Sequence, residues 1–342
     1  MKSVLLRRPG DPEVADLPVP RAKLGEIVVR MRACGICGTD IEKIHGRYTA
    51  SAPVLGHEAV GVVEEVGDGV EGLKPGDRVF PHHHVACGEC YFCRHGSETM
   101  CDHYRGSNLV PGGFSQFFVV PEWNVSRGGV LKLIDGLSFE AASLIEPAAC
   151  CLRGLRRCAV AGDENVLVVG AGPVGMMHSL ILMSRGANVI VSDVSDSKLV
   201  FAGEAGVGTV LDARCRDVSA EVKAMTAGRG ADLVIVATGD HRAIVQGLDS
   251  VRRGGRVCLF GVPPAGAPLD YDISRVFNSE VSIVTSYGAT EVDTIESLSL
   301  VSGGKVNLER LVTDRFGIED FSDAIGAAQR GTSMKVLVTN QA

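Results

Sequence analysis

Four cysteines lie on one short, turn-rich stretch as Cys87-x2-Cys90-x2-Cys93-x7-Cys101. Thiolates at that spacing close a tetrahedron around zinc within a single loop, and no fifth ligand or open position accompanies them. The pattern therefore reads as a structural zinc site. A redox Cys-x-x-Cys pair needs a βαβ frame that this stretch lacks. A second set is looser. Cys37, His57 and Glu58 offer a thiolate, an imidazole and a carboxylate, all zinc-ligand types. On residue type alone, Cys37 serves equally well as buried apolar filler, and His57-Glu58 as a capped strand start. The third set is Gly170-Ala171-Gly172-Pro173-Val174-Gly175, a GxGxxG turn. Its first glycine permits a tight turn, the second lets backbone approach a pyrophosphate, and the third allows close helix–strand packing. The helix that follows faces the phosphates with free N–H groups and a partial positive charge. Asp193 lies where a carboxylate accepts hydrogen bonds from a ribose 2′- and 3′-hydroxyl. It would repel a 2′-phosphate and has no basic residue directly behind it, which favours NAD over NADP.

The elements around these residues fall into two patterns. Val166–Val169 reads as a buried strand, Val174–Arg185 as a helix and Asn188–Ser192 as a second strand ending at Asp193. The alternation continues to about Tyr287 through strands at Asp232–Ala237, Arg256–Phe260 and Val281–Ser286. That predicts about six parallel strands in a doubly wound α/β sheet. Val166–Met183 is long and mostly apolar, but three glycines, a proline and His178 inside it argue against a membrane span. Residues 1–35 are instead punctuated by proline and glycine around strand-like runs such as Glu26–Met31, an all-β beginning. A helix-like or turn segment reaches Tyr48. Strands follow at Ala59–Val66, after the Lys74–Asp77 turn, and from Gly112 to Val120. Phe139–Leu155 reads as a long helix broken early by Glu146-Pro147. Helices at Glu291–Val301 and Ser322–Arg330 and a last strand, Lys335–Val338, rejoin the first domain. The expected domains are thus 1–147 with 288–342, and 148–287.

Composition narrows the class. A chain of 342 residues that is 45% hydrophobic has ample core for two domains. A net charge of −7 leaves no basic footprint for nucleic acid or an anionic membrane. The N-terminal MKSVLLRRPGDPE has no apolar signal region, so a cytoplasmic protein is expected. Eleven cysteines in such a chain suggest metal ligands rather than disulfides.

Gly-Ile-Cys37-Gly-Thr39-Asp40, Gly56-His57-Glu58, the four-cysteine lobe, the glycine turn and Asp193 occur in the order found in the zinc-dependent medium-chain alcohol dehydrogenases, and the chain resembles that family over essentially its whole length. The resemblance, nearest the sorbitol (L-iditol) and threonine dehydrogenase branch, implies a GroES-like catalytic domain, a Rossmann coenzyme domain and an active site in the cleft between them. It implies NAD, two zinc ions per chain, and a homo-oligomer, tetramer or dimer. The apolar Val281–Ser286 strand at the sheet's end is suited to pairing across a two-fold axis.

By the same resemblance, Cys37 and His57 hold a catalytic zinc, with Glu58 adjacent and a ligand in some states. Glu146, in Ile-Glu-Pro-Ala, looks like the third ligand of the polyol and threonine dehydrogenases. Cys150 and Cys151, one helical turn onward, are the alternative, but the Glu-Pro frame matches better. Thr39 resembles the family's proton-relay hydroxyl, though a local turn hydrogen bond would use it equally. Many relatives carry a histidine three residues further on, where this chain has Glu42; His45 is the nearest substitute. Val174 and Gly175 would meet the pyrophosphate, and Asp193 and Lys198 the adenosine ribose. Phe260-Gly261-Val262 and Ser286-Tyr287 would line the nicotinamide side, unless they are ordinary strand-end packing.

The expected substrate is a small polar secondary alcohol, a polyol or sugar alcohol, because a carboxylate such as Glu146 accepts from a second hydroxyl or pairs with an ammonium. Sorbitol dehydrogenases use an Arg-Tyr pair where this chain has Gly288 and Ala289. Tyr287-Gly288 and His84 look more like the threonine dehydrogenases, although His84 reads more readily as a solvated member of the His82–His84 run. A zinc-free quinone reductase-like relative would lack these ligands. A non-enzymatic NAD-binding protein on this scaffold would be expected to lose ligands or relay, and both are present.

Overall fold

Asn165–Val169 is aliphatic almost throughout and buried from Val166 onward, as a parallel strand covered on both faces must be. The computed structural model, which describes residues 1–47, 54–264 and 266–340, sets this strand inside a six-stranded sheet; Tyr48 lies outside the described residues. The order is Thr209–Asp212, Asn188–Asp193, Asn165–Val169, Ala231–Val236, Val251–Leu259, Ser282–Thr285, and every pairing is parallel. Chain order reverses at the central strand, so the crevice a dinucleotide uses opens beyond its C-terminal end, where Gly170 begins the turn. One strand is longer than its apolar pattern suggests. Val251–Leu259 starts ahead of Arg256, and its register with Ala231–Val236 shifts across Gly254-Gly255, which masks the start.

The other sheet is mixed and has seven strands. Its order is Val312–Gly317, Lys335–Thr339, Ile27–Gly35, Glu58–Val66, Arg78–Pro81, Val130–Lys132, with Phe117–Val120 paired to the first half of Ile27–Gly35. The C-terminal strand Lys335–Thr339 pairs antiparallel with the end of Ile27–Gly35, so distant parts of the chain complete one sheet. Its core includes Val29, Met31, Phe114, Phe118 and Phe321. Contacts divide the chain into two compact units, 1–149 with 288–342, and 150–287.

The expected helix from Phe139 is two helices, Phe139–Ala142 and Ile145–Arg157. The break falls at Ser143-Leu144, ahead of Glu146-Pro147. Proline belongs to the first turn of the second helix, where N–H groups have no intrahelical partner and the missing one costs nothing. No helix among the described residues is long and apolar enough to cross a membrane.

Candidate functional site

The Gly38–Ile44 helix is capped at Cys37, and the Asp40 carboxylate in its first turn does two jobs. Its Oδ2 accepts from the Cys37 N–H at 3.0 Å and its Oδ1 from the Gly56 N–H at 3.0 Å, tying the cysteine to the turn before His57. Glu58 then opens a strand, paired with Gly35 across the sheet. Ligand atoms of Cys37, His57 and Glu58 consequently lie within 4.8 Å of one another. His57 Nδ1 faces Asp40 Oδ1 at 3.5 Å, and its Nε2 faces Thr39 Oγ1 at 3.4 Å. Asp40 thus orients the ring through Nδ1 and leaves Nε2, on the Thr39 side, as the nitrogen that would be offered to a metal, the usual division of labour for a ligating histidine.

Charge in this cluster suits a cation. Burial opposes a charge on His57, yet Asp40 and Cys37 outweigh it and hold the imidazole well above its ordinary range. Glu58 is buried and gripped by Lys335 Nζ at 2.6 and 2.5 Å, while the same ammonium donates to the Ile36 carbonyl at 3.1 Å. Burial raises Glu58 above the usual carboxylate value, and Lys335 and His57 pull against it. Glu146 is buried in the first turn of Ile145–Arg157, where the helix dipole favours a carboxylate. It is not among the three residues whose ligand atoms converge, but its charge raises both Glu58 and Lys335. A thiolate, an imidazole and nearby carboxylates are a donor set that fits zinc.

The four-cysteine lobe is built from the Tyr91–Arg94 helix, a 3₁₀ turn at Glu98–Met100 and the Asp102–Gly106 helix. Cys87 Sγ lies 3.8 Å from Cys93 Sγ and 3.6 Å from Cys101 Sγ, and Cys90 Sγ lies 3.5 Å from Cys93 Sγ. A tetrahedron with Zn–S bonds of about 2.3 Å has edges of about 3.8 Å, so these sulfurs fit the ion. The Glu89 backbone N–H, ahead of those of other neighbours, draws Cys87 down to about 6, and burial pushes Cys93 up to about 12.

In the other unit, Gly170 takes φ +102°, and a Cβ on Gly175 would stand 1.8 Å from the Gly170 carbonyl oxygen. Pro173 and Val174 start the helix, which is capped at Gly172. Asp193 accepts three backbone N–H bonds, from Ala171 at 2.6 Å, Val194 at 2.7 Å and Ser195 at 2.9 Å. Its carboxylate is therefore aimed at the turn before any ribose arrives. Lys198 Nζ comes within 4.0 Å of where a Cβ on Gly172 would stand. Phe260 turns its ring edge-on to His178 at 4.6 Å, Gly261 lies against the Thr238 backbone, Val262 is exposed, and the Ser286 hydroxyl oxygen is buried. Tyr287 ends this unit.

Sequence reasoning left Asp40 without a role, although it stands inside the Cys37–Asp40 motif, and it missed Lys335 altogether. It also misjudged the histidine run. His82 and His83 are buried, and His84 is half-buried with its Nδ1 on the Ser107 carbonyl at 2.7 Å, because the Asn124 amide clasps the carbonyls of His82 and His83 and draws the segment inward. Glu42 is paired with Arg47 at 2.7 Å, and the exposed His45 accepts at Nε2 from the Gln329 amide at 2.9 Å.

A family model described as the alcohol dehydrogenase GroES-like domain matches residues 23–129, and one described as zinc-binding dehydrogenase matches residues 173–303. The chain is 30% identical to a sorbitol dehydrogenase of Halalkalibacterium halodurans, covering 95% of each chain. It is 32% identical to an L-threonine 3-dehydrogenase of Anaeromyxobacter dehalogenans, over 94% of this chain and 93% of that one. Among solved structures, a zinc-binding dehydrogenase from Sinorhizobium meliloti 1021 with NADP bound superposes with a TM-score of 0.89 at 28% identity, covering 99% of each chain.

Proposed function

The chain belongs to the zinc-dependent medium-chain alcohol dehydrogenase family, and from that premise we propose that it oxidises a small polar secondary alcohol, a polyol or sugar alcohol, with NAD as hydride acceptor. The observation that carries the reading is the convergence of Cys37, His57 and Glu58 beside buried Glu146. Cys37 and His57 would hold the catalytic zinc with a carboxylate, Glu146 or Glu58, and the four-cysteine lobe would hold the structural one. When bound, the metal supplies a Lewis acid that lowers the pKa of the alcohol hydroxyl, and the dinucleotide supplies the hydride acceptor.

The chain's own residues do the rest. Asp40 fixes the His57 ring. Lys335 keeps the Glu58 charge in place without removing it. Thr39 Oγ1, beside His57 Nε2, takes the alcohol proton and hands it outward, with His45 as the outer station. The NAD preference rests on the Asp193 carboxylate. The polar substrate rests on the buried carboxylates, which suit a ligand carrying a second hydroxyl better than an apolar chain. Among the described residues no disulfide joins any of the eleven cysteines, which suits a reducing cytoplasm.

A second reading, L-threonine 3-dehydrogenase-like oxidation of an amino alcohol, is favoured by Tyr287-Gly288, by His84 and by the relative of that name. The test is kcat/KM for NAD reduction with sorbitol, xylitol, galactitol, L-threonine and 1-butanol. The highest value on a polyol is expected, the highest on threonine would select the second reading, and the highest on butanol would refute both.

A further inference from the structure

The metal-side unit carries a polar group that the mechanism above does not use. Beyond the Arg78–Pro81 strand the chain continues as His82-His83-His84, and its backbone is pinned. The His82 N–H donates to the Gly129 carbonyl at 2.6 Å, and the Asn124 amide donates to the carbonyls of His82 and His83 at 2.8 and 3.0 Å. Two of the three rings are held at Nδ1, one by a side chain and one by a backbone carbonyl. His82 Nδ1 faces Glu291 Oε1 at 3.3 Å, and His84 Nδ1 donates to the Ser107 carbonyl at 2.7 Å. His83 differs. Its ring centroid lies 5.0 Å from that of His57 and 4.1 Å from that of His84, and its Nδ1 is buried with no hydrogen-bond partner among the described residues.

His82 Nε2 is also buried without a partner among the described residues, but no ring contact sets His82 against His57, whereas one does for His83. The Tyr104 hydroxyl donates to the Ala289 carbonyl at 2.7 Å and accepts from the Ala289 N–H at 3.1 Å. Gly288 takes φ +62°, and a Cβ there would stand 2.3 Å from that hydroxyl, so the Gly288-Ala289 turn has no room for a side-chain donor at position 288. A buried nitrogen left without a partner is costly, whereas one satisfied by a ligand hydroxyl becomes a source of discrimination against ligands that lack it.

We propose that His83 is a specificity-determining residue whose imidazole hydrogen-bonds the hydroxyl next to the one being oxidised, so that the site selects vicinal diols over simple secondary alcohols. This rests on the polar-alcohol reading above and deepens it. A neutral imidazole nitrogen matches a hydroxyl because a hydroxyl both donates and accepts.

The probes are 2,3-butanediol and 2-butanol, which differ by one hydroxyl. Steady-state kcat/KM with saturating NAD is measured for the wild-type holoenzyme, His83→Phe and His83→Asn, with zinc content determined on each preparation. The wild type is expected to favour the diol. In His83→Phe the diol-to-butanol ratio should fall about tenfold, the loss of one hydrogen bond to a buried nitrogen, mainly through KM for the diol. His83→Asn, which returns an amide near the Nδ1 position, should recover part of the ratio and guards against a phenylalanine that does not pack. A wild type that prefers the diol together with a His83→Phe enzyme that keeps the preference overturns the inference alone. No preference in the wild type overturns both the inference and the polar-alcohol reading. Loss of zinc in step with loss of activity would make His83 part of the metal site and also overturn the proposal.

Discussion

His178 is fully buried in the coenzyme-side unit, with neither ring nitrogen hydrogen-bonded among the described residues, and burial lowers it to about 3. The folded state therefore resists a proton that the unfolded chain accepts near pH 6.5. Its contribution to stability is complete above that pH and is lost as pH falls from about 6.5 toward 3, by at most about 1.4 kcal/mol per pH unit. His178→Leu should flatten the pH dependence of the melting temperature across that window relative to wild type; parallel curves would contradict it. In the four-cysteine lobe, Cys93→Ser should remove one zinc and cost stability or assembly, because an incomplete tetrahedron forfeits most of its binding free energy. Metal analysis and thermal melts read both effects. The cysteine spacing was legible because all four ligands sit on one short loop. Lys335 was not, because its partner Glu58 is 277 positions away and only the last strand of the sheet joins them. Asp40 was overlooked because its work is done through backbone N–H groups, which no spacing announces.

At the scale of elements, the glycine turn could be read residue by residue, since each glycine answers a local steric demand. What the sequence did not convey is that Asp193 braces the turn through the Ala171 N–H, besides the ribose contact proposed for it. Asp193→Ala should therefore weaken binding of both dinucleotides and shift the ratio of NAD to NADP affinity about tenfold toward NADP, the scale of a lost hydrogen bond to a charged group. Dinucleotide titrations by intrinsic fluorescence would measure it; an unchanged ratio would show that Asp193 does not discriminate. Two element boundaries were misread for physical reasons. Glu146-Pro147 looks like a breaker in the sequence although the first helical turn tolerates proline, and Gly254-Gly255 conceals the start of a long strand. The histidine run was assigned to solvent by polarity, and Asn124, a distant buried amide, reversed that.

For the whole molecule, the coenzyme sheet ends in an open edge. Among the described residues Ser282–Thr285 pairs on one side only, Ile283 is 39% exposed, and nearby Ile273 and Phe277 are 67% and 83% exposed. An apolar edge of this kind invites pairing with a second copy. Sedimentation at micromolar concentration should find a homo-oligomer, and a charged substitution such as Ile283→Lys should shift it toward monomer; a monomeric wild type would reject this. Two patterns are legible in the sequence because alternating β and α segments contrast with the proline- and glycine-punctuated β pattern at the start. The end of that alternation near Tyr287 sets the last strand with the first pattern; its pairing with Ile27–Gly35 is visible only in the structure. The central claim is that the Cys37 cluster holds the zinc that activates the alcohol, separately from the four-cysteine lobe. Its most direct test is zinc content and sorbitol-dependent NAD reduction measured together on wild type and Cys37→Ser. The account predicts two zinc ions and turnover in the wild type, and one zinc ion, an unchanged circular dichroism spectrum and no turnover in Cys37→Ser. A variant that keeps both ions, or that loses one and still oxidises sorbitol, would contradict it.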